Sequence, residues 1–117
     1  MPRSPAPNDF QVPVDDIGTF TFGRRTPRDV FMIRGEYARL TNGNFTEDGA
    51  LADMTALAFI SIQQLAVRMP DGFSLEKLDP VMSDDWEAKV LRIFAALREK
   101  ELSFRPELRE AGQAASA

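Results

Sequence analysis

Two adjacent carboxylate pairs, Asp15-Asp16 and Asp84-Asp85, are the first residues of this 117-residue chain whose type suggests chemistry. Carboxylates do acid–base work or hold a divalent cation when they converge from separate elements. Adjacent ones in a strand or at a helix start point apart, so these pairs read as turn residues and as partners of a helix's positive end. Ser61, Ser74, Ser83 and Ser103 have no histidine to activate them, because the chain contains none. Gly18 to Gly23 lacks the spacing of a phosphate-binding loop, and no lysine follows it. The absence of cysteine removes thiolate metal sites and disulfides, and a reducing cytoplasm is the expected compartment. Tyr37 and Trp86 fall at helical spacing and read as core residues rather than a ligand box. These residues predict a non-catalytic protein with no cofactor and no metal.

The remaining chemistry is charge. Residues 17–39 hold Arg24, Arg25, Arg28, Arg34 and Arg39 against Asp29 and Glu36, a local balance of +3 in a chain of net −4. Such a face can be a nucleic-acid footprint. It equally suits a solvated helix face laced with ion pairs, and the acidic remainder of the chain opposes approach to a phosphate backbone.

The elements that must position these residues are legible from periodicity. Residues 1–9 are proline-rich and read as a flexible arm. Phe10, Val12 and Val14 alternate with polar partners, as do Phe20 and Phe22, with Asp15 to Gly18 as the turn between them. This predicts a β-hairpin, which must pack on helices or pair with another subunit. Thr26 is placed to cap a first helix, with Pro27 at its first position, Asp29 in its first turn and Asn42-Gly43 as its stop. Val30, Ile33, Tyr37 and Leu40 form its apolar stripe. Thr46 is placed to cap a second helix running to Met69 and ended by Pro70. This helix is apolar nearly all round: Leu51, Met54, Leu57, Ala58, Leu65 and Met69 make one stripe, and Phe59, Ile60, Ile62 and Val67 lie off it. Either it is the central core helix or another molecule covers one face. Asp71 to Pro80 reads as a turn with about one helical turn pinned by Phe73, Leu75 and Leu78. A last helix from near Asp84 to Leu102, with Glu87 completing a capping box, buries Trp86, Val90, Ile93, Phe94 and Leu97. Residues 107–117 read as a flexible tail. No stretch is apolar enough to span a membrane, since 51–69 carries Asp53, Gln63, Gln64 and Arg68. The expected architecture is mostly α: about three main helices and a small N-terminal β-hairpin in one domain, residues 10–106.

Three segments in this order resemble the tail assembly chaperones of long-tailed bacteriophages. The first is Gly18 to Gly43, with Phe20, Phe22, Asp29, Ile33 and the run from Glu36 to Thr41. The second is the apolar helix with the following run from Met69 to Asp79. The third runs from Phe94 to Pro106. The resemblance covers residues 15–106 and rests on order and spacing, not on one diagnostic motif. It implies a small helical protein of the infected bacterial cytoplasm, absent from the mature virion. Its implied partners are the tape measure protein, which it keeps soluble, and the tail tube protein, which polymerises around that complex. A longer frameshifted form is common in the family.

Such work needs an apolar surface rather than catalysis. The residues expected to supply it are Phe59, Ile62 and Met69 as a groove for an amphipathic helix. Phe20 and Phe22 in the hairpin, with Arg24 and Arg25 beyond it, complete the expected contact surface. An exposed strand edge makes a homo-oligomer an expectation too. Two other readings remain open: a structural tail-completion or connector subunit, and a small regulator binding nucleic acid through its arginines.

Overall fold

Phe10, Val12 and Val14 turn inward and Gln11 and Pro13 outward, so the alternating run becomes strand β1 (Phe10–Val14). It pairs antiparallel with β2 (Gly18–Phe22), in a register from Phe10 opposite Phe22 to Val14 opposite Gly18. The Ile17 amide donates to the Val14 carbonyl at 3.1 Å to close the turn. Asp16 sits in the left-handed region with φ 66°, a conformation aspartate tolerates. Gly18 has φ 135°, and a Cβ there would lie 2.7 Å from Pro70, so only glycine fits. Pro13 is tolerated because β1 is an edge strand and needs no donor on its open side. The computed structural model describes residues 3–41, 50–82 and 84–105.

The hairpin becomes a three-stranded sheet of order β1-β2-β3, and the third strand corrects the expected end of the second helix. That helix, α2 (Ala50–Leu65), stops four residues before Met69, and Ala66–Arg68 form β3 against β2. The physical reason lies at the edge of β2, where the Gly23 amide donates to the Leu65 carbonyl at 2.8 Å. A helix continued to Met69 would leave the amides of that edge without acceptors.

Three main helices complete the domain. The first, α1 (Pro27–Thr41), opens at the expected cap Thr26, and Asp29 completes a capping box with it. The Asp29 amide donates to Thr26 Oγ1 at 3.2 Å, and the Thr26 amide donates to Asp29 Oδ2 at 2.8 Å. Packed against both α1 and α3 (Trp86–Ser103), α2 buries Ala58, Ile60, Ile62 and Leu65. This is the packing of a central core helix, although Met54 of its expected apolar stripe stays exposed. Leu75 is buried from a single 3₁₀ turn, Leu75–Lys77. Helix α3 buries Val90, Ile93 and Leu97, but the expected box of Asp84 with Glu87 does not form. Asp85 takes the cap position without a side-chain cap bond, and the Glu87 carboxylate accepts from Thr55 Oγ1 at 3.5 Å.

A relay of aromatic rings ties the sheet to the helices. Phe104 meets Phe10 edge-on at 5.0 Å, Phe20 stacks on Phe22 at 5.8 Å, and Phe73 closes edge-on onto Phe20 at 5.3 Å. The hairpin therefore packs on its own helices. Among the described residues, no helix is long and apolar enough to cross a membrane. The expected helix stop at Asn42-Gly43, the cap at Thr46 and the tail 107–117 lie outside the described residues.

Candidate binding surfaces

The junction between β2 and α1 is a saturated polar node built on Asp29, which is buried. Beyond the Thr26 amide, Asp29 accepts from Thr26 Oγ1 at 3.0 Å, from Gln64 Nε2 on α2 at 3.0 Å and from the Arg3 guanidinium at 2.8 Å. Burial pushes this carboxyl up, but the hydrogen bonds from Arg3, Gln64 and Thr26 outweigh it and hold its pKa at about 2. Arg3 belongs to the arm expected to be flexible, yet it is tied at three points. Besides Asp29, its guanidinium donates to the Arg24 carbonyl at 3.1 Å and its amide to the Ala66 carbonyl at 3.1 Å. A Cβ on Gly23 would fall 2.6 Å from the Arg3 Nε, so glycine there lets the arm lie close.

A second polar junction lies where the segment between β2 and α1 meets the end of α3. Glu101 accepts two hydrogen bonds from Arg25, at 3.0 and 3.1 Å, and one from Arg98 at 3.0 Å. The Arg24 guanidinium lies over the Phe104 ring at 3.7 Å. Together with Arg105 these residues line an open cleft of about 270 Å³.

The outer face of α1 is apolar and open. Phe31 is 68% exposed and Met32 52%. Gly35 and Ala38 continue the row at i+4 and i+7 from Phe31, and nothing lies within 4 Å of a Cβ built on Gly35. Arg39 pairs with Glu36 on the same helix. Among the described residues, the guanidiniums of Arg28 and Arg34 have no acceptor.

These surfaces differ from the one the sequence led us to expect. Phe20, Phe22 and Ile62 are each 0% exposed. They form the core and present no surface to a partner, because they belong to one buried cluster with Leu65, Val90, Ile93 and Leu97, and Phe73 closes onto Phe20. Phe59 and Met69 are half-buried against that core. Met69 lines a separate groove of about 390 Å³ along β3, with Val67, Phe73 and Leu75. Of the expected contact residues that reach the surface, Arg24 and Arg25 come together, at the Glu101 cleft. The sequence pattern gives no contact role to Phe31 and Met32, although a helical projection of α1 puts both off the buried stripe of Ile33 and Tyr37. Among the described residues, no group of three acidic, histidine or cysteine side chains is arranged to hold a metal ion. Comparison with family models, curated proteins and solved structures gives no match to this chain.

Proposed function

We propose that this chain is a tail assembly chaperone: a non-catalytic protein that binds the phage tape measure protein, keeps it soluble, and hands it to tail tube subunits. The observation that best supports the reading is the outer face of α1. Phe31 and Met32 stand exposed there beside Gly35 and Ala38, a flat row that lets another helix approach closely. An amphipathic helix of the tape measure protein lies along such a row in the manner of helix-in-groove recognition. Burial of its apolar side contributes about 25 cal/mol per Å² removed from water, with no chemistry required. Arg28 and Arg34 flank the row and favour acidic residues at the margin of the incoming helix. The ordered resemblance of residues 15–106 suggests this partner, and the exposed apolar row on α1 is compatible with it. Tube subunits release it by competing for the same apolar area. This work belongs to the cytoplasm of the infected host, before the virion is complete.

Co-expression tests the reading. The tape measure protein of the same tail operon, insoluble when expressed alone, is expected to co-elute with a tagged copy of this chain. A tape measure protein that stays insoluble beside a soluble, folded chain contradicts the proposal. Recovery of the chain from purified virions would favour a structural tail subunit instead.

A further inference from the structure

Four arginines from opposite ends of the sequence converge on one cleft. Arg24 and Arg25 precede α1, Arg98 lies on α3 and Arg105 follows it, and Glu101 is the one carboxylate among the described residues lining the cleft. Glu101 is spent: one oxygen accepts from Arg25 and Arg98 and the other from Arg25. Arg24 has its guanidinium carbon 3.7 Å from the centre of the Phe104 ring, a contact that uses none of its N–H groups as hydrogen-bond donors to a carboxylate. Among the described residues, the guanidiniums of Arg24 and Arg105 have no acceptor. The described residues lining the cleft therefore carry a net +3 beside the Phe10 and Phe104 rings, in a chain of net −4.

We infer that this cleft binds the carboxylates of an acidic peptide segment, with an apolar side chain of that segment laid against Phe104. Guanidinium forks fit carboxylates in bidentate geometry, and Glu101 already fixes two of the four forks in place. The ring beside them supplies the apolar contact that a free anion would not use. A nucleic acid fits less well, because its charge extends far past the cleft and onto an acidic protein. The inference goes beyond the tape measure reading: no residue of the outer α1 face lines this cleft, so either surface can fail without the other.

The test is fluorescence anisotropy of the intact chain with three labelled probes: a peptide of alternating Glu and Leu, the same peptide with Gln for Glu, and an oligothymidylate. The Glu peptide is expected to bind saturably, and the Gln peptide at least about tenfold more weakly. Arg105→Gln and Arg24→Gln are each expected to weaken the Glu peptide about five- to tenfold. Arg105 is exposed, so its variant decides the matter if Arg24→Gln disturbs the fold. Equal binding of the two peptides, or unchanged binding by a folded Arg105→Gln variant, overturns the inference. Binding of the oligothymidylate without the Glu peptide also overturns it and makes the cleft a phosphate site.

Discussion

Asp29, at the start of α1, receives hydrogen bonds from Arg3, from Gln64 and from both the amide and the hydroxyl of Thr26. Glu101, near the end of α3, serves two of the four arginines around it. Each carboxylate joins segments far apart in sequence, but the balance of donors and acceptors is opposite. At Asp29 a single arginine meets a buried carboxylate whose remaining valences are filled by neutral donors, so nothing is left over. At Glu101 the cations outnumber the anion and their unused donors face solvent. A closed junction of the first kind holds the chain together; an open one of the second kind can hold something else.

The closed junction is the one whose loss costs the fold most. Asp29→Ala removes the capping box, deprives the Arg3 guanidinium of its carboxylate and leaves Gln64 without that acceptor, and we expect a loss of about 3 kcal/mol in urea unfolding. A loss under about 1 kcal/mol would mean that the node is not a structural tie.

Acid should dissect the same junction. Asp29 is held at about 2, below its ordinary 3.8. The stabilisation is therefore complete above the unfolded value and is lost as the pH falls through about 2. The shift corresponds to about 2 kcal/mol, lost progressively below about pH 5. Comparing stability–pH curves of the wild type and Asp29→Asn checks this, since the variant should lack that component.

Glu101→Gln sharpens the open end. It releases Arg25 and Arg98 from their shared anchor, and the expected cost is about 1 kcal/mol, smaller than at Asp29 because both arginines reach solvent. A cost equal to that of Asp29→Ala would erase the distinction between the two junctions. The smallest effect is at Gly35, which is helical and open. Gly35→Ala should stabilise the free chain by about 0.5–1 kcal/mol in thermal unfolding. A stabilised variant that also binds the tape measure protein less well would indicate that the glycine is kept for close approach.

The fold was legible where local signals agree with tertiary demand. Thr26, Pro27 and Asp29 marked the start of α1 because capping is a matter of a few adjacent residues. The hairpin was legible because Asp15-Asp16 and Gly18 mark its turn and the phenylalanines alternate. By contrast, Ala66–Arg68 leave the helix because the edge of β2 needs partners, a demand that comes from elsewhere in the chain. The site was less legible for the same reason. Phe20, Phe22 and Ile62 have the composition of contact residues, but whether an aromatic faces a core or a partner depends on what packs over it. Arg24 and Arg25 stood out in the sequence, whereas Arg98, Glu101 and Arg105 join them only when α3 folds back. Arg3 gave no signal, since a single arginine in a proline-rich arm carries no periodicity.

Phe31→Asp is the sharpest test of the proposal that this chain holds a helix of the tape measure protein on the exposed face of α1. The variant should keep the circular dichroism and unfolding midpoint of the wild type, because Phe31 is 68% exposed. Its yield of soluble tape measure protein on co-expression should fall at least about tenfold, as expected when a charge enters the centre of an apolar contact. A folded Phe31→Asp chain that recovers the tape measure protein at wild-type yield would contradict the account.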